Sequence, residues 1–400
     1  MNNLPKKVLI INLGWEQKPL IDSLIQRGYE IYGITNEVSL EYKGFKKVYH
    51  SDYRDLEKIH QIAKAIKPDA VISDQCDYSQ YAQAYLCERL SLKGPTLRQA
   101  QVSSNKYVQR KLAAENGVRI PNFELATSLD EARIALTKIG LPAIIKPIDN
   151  RGSFGVSKIN QIEELEDAYY NALTNSHSRF VLIEQFINGY EITVDGYCFG
   201  GKPKSIAVAL KSKEGLTSQV SMDIKYPADI PAEIYKQALV NNEFVANALG
   251  FTFGMVHSEY LIDVKNDIYL VESANRGGGV FTSEIIAPKV SGVNILDRLI
   301  DDVLDISSEV QYPETIEKNQ VILKFFAFKN GKVKAIHGME KTKSIDGVLA
   351  CRLNIKIGDI IKTIDNDGSR HGFIIYHSNG NLREEVTVII KNIEIEYEHE

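Results

Sequence analysis

Residues 257–279 read HSEYLIDVKNDIYLVESANRGGG, and the fold turns on how this stretch is read. Two apolar runs flank Lys265-Asn266, which predicts an antiparallel hairpin with strands at 257–264 and 267–272. Pairing across that turn sets Glu259 opposite Glu272, and directly opposed residues share a face. Two carboxylates side by side repel unless a cation lies between them. Hard oxygen ligands in that arrangement suit Mg²⁺, which takes few protein ligands and completes its shell with phosphate and water. Either acid alone reads as a solvated strand residue. The opposed pair, followed by Asn275, Arg276 and the run Gly277, Gly278, Gly279, reads as a metal–phosphate site. His257 lies two residues before Glu259 and so on the same face. A phosphate contact, a base and a packed, hydrogen-bonded histidine are all open readings for it.

Two further clusters lie upstream. In Lys146-Pro-Ile-Asp-Asn-Arg-Gly152-Ser153-Phe-Gly155-Val156 a lysine ends a strand and a loop with two glycines and a serine follows. Exposed amides in such a loop can cradle phosphate oxygens while the lysine adds a point charge. The loop is not a Walker A sequence, and taken alone it reads rather as a glycine-bearing hairpin turn beside a surface lysine. In Glu184-Gln185-Phe186-Ile187-Asn-Gly189-Tyr-Glu191 an apolar strand runs into a turn and then an acid. Its backbone suits a purine edge and its acid suits ribose hydroxyls, although alone it reads as a connector.

The 400 residues are too many for one ordinary core, so two to three domains are expected. Apolar residues at 44% and charged residues at 25% describe a globular chain, and 47 basic against 52 acidic residues disfavour a dedicated nucleic-acid binder. The four cysteines have neither zinc-ligand nor disulfide-framework spacing and read as small buried hydrophobes. No stretch approaches the roughly 20 apolar residues needed to cross a bilayer, and the expected location is cytoplasmic.

Strand signals at 7–13, 29–34 and 70–73 alternate with helix signals at 19–27 and 56–66, which predicts a parallel, Rossmann-like α/β unit. Its first turn carries only Gly14, so nothing there points to NAD. Helices are expected at 106–116, 128–139 (opened by a Ser128…Glu131 capping box), 162–173 and 231–249, and strands at 143–146, 180–185 and 191–199. Residues 217–226 read as a mobile polar loop, with substrate contact as the alternative. Residues 305–320 read as a linker. Beyond it, Asn-Gly or Asp-Gly turns at 330–331, 346–347, 367–368 and 379–380 predict a small, mostly β domain.

The order Lys106, Lys146, glycine loop, Glu184/Glu191, Glu259, Glu272-x-x-Asn275-Arg276 resembles the ATP-grasp superfamily from about residue 95 to 310. Asn105-Lys106-Tyr-x-x-Arg110 resembles its opening motif D-K-x-x-x-R, with Asn105 in place of the Asp. The resemblance implies an α/β (α+β) protein: a Rossmann-like domain at 1–100, an ATP-grasp domain at 101–310 with a mobile lid at about 118–186, and a β-rich domain at 321–400. It implies that Lys106 and Lys146 bind ATP phosphates under the 152–156 loop (Ser153, Gly155, Val156). Glu184, Gln185, Phe186 and Ile187 would form the hinge around adenine and Glu191 would hold ribose. Glu259 and Glu272, with Asn275 as a further candidate, would hold Mg²⁺ or Mn²⁺. The family commonly has Glu-x-Asn-x-Arg; here Ala274 stands at the Asn place and Asn275 follows it. Arg276 and Lys146 would act in catalysis, and Arg276, Gly277, Gly278 and His257 would meet the substrate.

Gly331-Lys-Val-x-x-Ile336-x-Gly338 and Ile357-Gly358-Asp359 resemble the last domain of bacterial L-amino acid ligases. That resemblance implies a carboxylate–amine ligase that forms an amide through an acyl phosphate and releases ADP and phosphate. Its partners would be a small carboxylate and an amine, with no nucleic acid or membrane and with homodimers common among such ligases. A kinase with the same ATP site is the alternative, and a non-catalytic protein with a degenerate nucleotide site is a third reading.

Overall fold

The computed structural model describes residues 5–37, 43–213, 220–306 and 319–398. Its first layer is a parallel four-stranded sheet in the order Phe45–His50, Glu30–Thr35, Lys7–Ile11, Ala70–Ile72. The central strand, KVLII, is apolar on both faces because both are covered. Val8 and Ile10 feed one core, with helix Lys18–Gln26 and helix Ile295–Val303. Leu9 and Ile11 feed the other, with helices Leu56–Ile66 and Asp77–Leu90. Each fully buried side chain of this kind contributes about 1.5–3 kcal/mol of transfer free energy. The sequence reading lacked the strand Phe45–His50. It is a half-exposed edge carrying Lys46 and Lys47, so it shows no apolar run to detect.

A second, antiparallel sheet runs Phe123–Ala126, Val181–Gln185, Ala143–Pro147, Ser157–Ile159. Helices Leu129–Ile139 and Leu165–Thr174 share its core. The Ser128 hydroxyl caps the first of these, accepting from the Glu131 amide at 3.2 Å. Glu131 in turn accepts from the Thr127 amide and hydroxyl, one residue earlier than a capping box requires.

The third sheet has eight antiparallel strands. They run Ile268–Ala274, Gly254–Asp263, Gly189–Phe199, Lys202–Lys213, Ser221–Tyr226, Val321–Phe325, Gly372–His377, Val348–Leu353. Helix Ala232–Ala248 covers part of it. This sheet also takes in part of the C-terminal segment. Three of its strands continue the sheet that carries the 257–279 hairpin, joined where Asp223 pairs with Lys324 and Ile224 with Leu323. A three-stranded sheet of Ile360–Ile361, Gly331–His337 and Glu394–Tyr397, with helix Leu382–Ile390, completes the segment. None of the four X-Gly dipeptides closes a hairpin: each leads into or out of a helix, or opens a strand whose partner comes from elsewhere. The expected loop at 217–226 is also corrected. Ser221–Tyr226 is an almost wholly buried strand, while 217–219 lie outside the described residues. So do 307–318 of the expected linker.

The decisive hairpin forms with Glu259 directly opposite Glu272. Asn266 supplies the left-handed residue its turn needs, at φ 65°. A bulge between Glu259 and Tyr260 shifts the pairing toward the tip, so that Tyr260 faces Leu270.

Candidate functional site

A cleft of about 580 Å³ opens between the second and third sheets. Its polar wall begins with a buried triad. Lys146, on strand Ala143–Pro147, sets its Nζ 2.5 Å from Glu184 Oε2, and Arg110 Nε donates to Glu184 Oε1 at 2.6 Å. Arg110 is fully buried and also donates to the Val271 carbonyl at 2.7 Å, tying the hairpin to helix Lys106–Glu115. Burial would raise the Glu184 carboxyl, yet Arg110 and Lys146 hold it below its usual range. Burial pulls Lys146 down from its usual value, against the pull of Glu184. The Glu184 side chain is therefore spent on cations. Gln185, Phe186 and Ile187 line the cleft beyond it, with the Lys158 ammonium 3.8 Å from the Phe186 ring centroid.

Lys106, at the start of its helix, donates to the Asn150 carbonyl at 2.7 Å and pairs with Glu272 Oε2 at 2.7 Å. Burial alone would raise the Glu272 carboxyl, but Lys106 pushes it down to about 2. Opposite it, burial raises the Glu259 carboxyl, partly offset by Lys211. Lys211, absent from the sequence reading, bridges Glu259 at 2.7 Å and Glu191 at 2.6 Å. Lys213 adds a second contact to Glu191 at 3.2 Å, so the acid expected at ribose is engaged by two lysines. Lys211 and Glu191 pair directly across neighbouring strands. Strand alternation from Glu191 was the only signal that pointed to Lys211, and it needed the partner strand's register.

Among the described residues no three His, Cys, Asp or Glu side chains cluster as a metal site. Glu259 and Glu272 remain as two opposed carboxylates, which is the sparse donor set that Mg²⁺ takes when phosphate supplies the rest. Asn275 does not join them. Its Nδ2 donates to the carbonyls of Phe253 (2.7 Å) and Met255 (2.9 Å), on the opposite side of the strand from Glu272. The expectation of Asn275 as a ligand is corrected accordingly.

Arg276 is held by Asp77 of the first layer, Nε to Oδ1 at 2.8 Å and Nη2 to Oδ2 at 3.1 Å, and it borders a small cavity with Lys106 and Glu272. Its partners Asp77 and Glu272 hold the guanidinium above its usual value despite burial. His257 donates from Nδ1 to Asp195 Oδ1 at 2.8 Å, and the Tyr226 hydroxyl donates to Asp195 Oδ2 at 2.5 Å. The other ring nitrogen, Nε2, lies 3.9 Å from Glu259 Oε1. Gly278 donates its amide to Ser283 Oγ at 2.9 Å, so that N–H points inward rather than to a substrate. A Cβ at Gly278 would stand 2.0 Å from Thr282 Oγ1 and 2.7 Å from His257 Nδ1.

In the 147–156 loop, Gly152, Ser153 and Gly155 all adopt left-handed φ, near 60–72°. A Cβ at Gly155 would lie 2.7 Å from Asn175 Cβ. The loop meets the C-terminal segment, where Asp367 donates its amide to the Gly152 carbonyl at 3.1 Å. From there Arg370, also unanticipated, reaches the cleft. It donates to the Ser221 carbonyl at 2.6 Å, pairs with Asp367 at 2.8 Å and stacks 3.7 Å over Phe325. No apolar periodicity or motif marks Arg370, because only the joining of strands Ser221–Tyr226 and Val321–Phe325 brings it here.

Residues 139–284 match the family described as ATP-grasp domain. The chain carries an ATP-grasp domain. Residues 324–398 match L-amino acid ligase C-terminal domain 2, so the resemblance noted in each half is shown. The ATP-grasp fold is shared throughout by the crystal structure of an L-amino acid ligase from Bacillus licheniformis, with TM-score 0.85, 18% identity and 100% of both chains covered. N5-carboxyaminoimidazole synthetase from Staphylococcus aureus, solved with ADP, has the same fold at TM-score 0.73 and 15% identity, covering 98% of each chain. By sequence, a D-alanine–D-alanine ligase from Parabacteroides distasonis is 28% identical over 214 residues, 50% of this chain and 63% of that one. The chain thus spans less than two-thirds of that curated relative. No helix among the described residues is long and apolar enough to cross a membrane.

Proposed function

We propose that this protein is an ATP-dependent carboxylate–amine ligase that makes an amide through an acyl phosphate. The observation that carries the reading is the convergence of Lys106, Lys146, Glu259 and Glu272 on one cleft with an apolar, aromatic wall. Its volume falls within the range of small-molecule sites. On this reading Phe186 and Ile187 flank adenine, Lys106 and Lys146 bind phosphates, and the 152–156 loop covers them. Glu259 and Glu272 hold Mg²⁺, which when bound spreads the charge of the transferring phosphoryl group.

A substrate carboxylate oxygen attacks the γ-phosphorus and ADP leaves, giving the acyl phosphate. The amine nitrogen then attacks the carbonyl carbon, the C–O bond to phosphate breaks, and the nitrogen gives up a proton. Lys106 and Lys146 neutralise the phosphates and Arg276 faces the developing oxyanion. His257, anchored at Nδ1 by Asp195, presents Nε2 beside Glu259 to orient or accept that proton. Water must be kept out or the intermediate hydrolyses, and the sheet and helices of residues 118–186 serve as the lid. The proposal keeps the division into 1–100, 101–310 and 321–400, with the last segment completing the cleft through Arg370. An ATP-consuming enzyme of this kind works in the cytoplasm.

The test is ADP and phosphate release from Mg-ATP with amino acids offered singly and in pairs, with mass spectrometry of the products. Phosphate release that requires both partners, with an amide product, supports the ligase. ADP without free phosphate and a product heavier by one phosphoryl group refutes ligation in favour of a kinase.

A further inference from the structure

The loop between strands Ala143–Pro147 and Ser157–Ile159 is held from two sides. At its base, the Lys106 amide donates to the Ile148 carbonyl at 2.8 Å, Lys106 Nζ to the Asn150 carbonyl at 2.7 Å, and Asn150 Nδ2 to the Asn175 carbonyl at 2.6 Å. Within the tip the bonds are long. The Phe154 amide reaches the Arg151 carbonyl, and the Val156 amide the Ser153 carbonyl, both at 3.3 Å. A tip with such weak bonds of its own takes its position from what it rests against.

It rests against the turn Asp365–Ser369 of the C-terminal segment. The Asp367 amide donates to the Gly152 carbonyl at 3.1 Å, and the Phe154 ring lies against Gly368. A Cβ on Gly368 would stand 3.0 Å from Phe154 Cζ and 3.2 Å from Asn366 Oδ1. The φ of Gly368 is not left-handed, so space rather than backbone freedom calls for glycine there. The turn itself is braced. Asn366 Oδ1 accepts from the Ser369 amide at 3.0 Å, and Ser369 Oγ accepts from the amides of Asp365 (3.0 Å) and Asn366 (3.1 Å). None of these bonds uses the Asp367 amide, which is left for the loop. Arg370 then pins the turn to the third sheet through the Ser221 carbonyl. The loop belongs to the second sheet, so the contact bridges the two walls of the cleft. Phe154 joins none of the apolar cores and stays 36% exposed, so this seat is shallow enough to release.

We propose that Phe154 and the turn Asp365–Ser369 hold the phosphate loop shut while the acyl phosphate exists, so that the C-terminal segment sets how tightly ATP use is coupled to amide formation. The inference rests on the ligase reading. When the loop lifts, water attacks the carbonyl carbon of the acyl phosphate and the C–O bond to phosphate breaks. Carboxylate, inorganic phosphate and a proton are released, and no amide forms. Phe154 and Gly368 touch no reacting atom; they are positioning residues.

The test reads two quantities on the full chain. One is ADP formed per amide with saturating Mg-ATP and the amino-acid pair selected in the ligase assay. The other is the rate of trypsin cleavage after Arg151, which is exposed in the loop, followed by mass spectrometry. Phe154→Ala and Asp367→Pro are each expected to raise ADP per amide about fivefold, the effect of one lost contact, and to speed the cleavage. Proline is accepted at the first position of a helical turn, where it removes the amide donor. Asp367→Ala also loses the ion pair to Arg370 but keeps that amide, and its ratio should rise less. Phe154→Tyr should restore the wild-type ratio. Gly368→Ala, which crowds the ring from the other side, should act like Phe154→Ala and decides the matter if the latter does not fold. Unchanged ratio and cleavage overturn the proposal. Faster cleavage at an unchanged ratio overturns it as well, because the seat is then structural alone. A wild type that forms no amide with any pair, while the variants are still cleaved faster, defeats the ligase reading and leaves the seat only as a contact.

Discussion

Replacing Lys106 by Met separates an ion pair from a pH-independent packing role. The Lys106–Glu272 pair is 2.7 Å long, with side chains only 15% and 24% exposed. Burial alone would raise the Glu272 carboxyl from 4.5, yet Lys106, with Arg276 and Lys146 beside it, takes it to about 2. A depression of that size corresponds to on the order of 3 kcal/mol of stability carried by the ionised carboxylate, shared among the three cations. A carboxyl depressed in the folded state contributes fully above its unfolded value of 4.5 and loses that contribution as pH falls toward about 2. Urea denaturation of the wild type and Lys106→Met should therefore show a gap of about 1–3 kcal/mol at pH 7 that narrows steadily between about pH 4.5 and 2.5. Other acids titrate in both proteins and cancel in the difference. The small residue at low pH reflects the lost bond to the Asn150 carbonyl, about 1 kcal/mol. A gap that stays constant from pH 7 to pH 3 would refute the assignment of Glu272 as a carboxylate held down by Lys106.

Four further outcomes are expected. Lys146→Met should fold, since Glu184 keeps Arg110, but bind ATP about 10- to 100-fold more weakly by calorimetry; Arg110→Met should instead lose about 3–5 kcal/mol of stability by breaking the buried triad. Glu259→Ala and Glu272→Ala should each abolish Mg-ATP turnover in the ADP-release assay while keeping native circular dichroism; turnover unchanged in both would remove the pair from metal binding. Arg276→Ala should spare ATP binding and depress turnover, and equal loss of both would move Arg276 to the nucleotide.

Much of the fold was legible because its signals are local. The alternation of KVLII, the Ser128 cap and the glycine stops at Gly28 and Gly117 act within a few residues, so they appear in one strand or one helix at a time. The opposition of Glu259 and Glu272 was legible for the same reason: a short turn dictates hairpin register near itself, even though a bulge later shifts the pairing at Tyr260. The edge strand Phe45–His50 was not legible, since an exposed edge carries lysines rather than an apolar pattern. The site was half legible. Lys106, Lys146, Glu184, Glu191, Glu259 and Glu272 do line one cleft, but the partners of Glu184 and Glu191 were not foreseen.

Sequence by itself determined the element types, the order of the lysines and acids along the chain, and the facing carboxylates. Tertiary structure alone decided which charges meet. Lys211 reaches Glu259 through a strand between them, Asp77 holds Arg276 from 199 positions away, and Arg370 enters the cleft only because C-terminal strands extend the central sheet. The physical reason is range. Turns, caps and strand alternation are settled by neighbours in the chain, whereas an ion pair depends on where two distant backbones are packed, and local composition does not encode that placement.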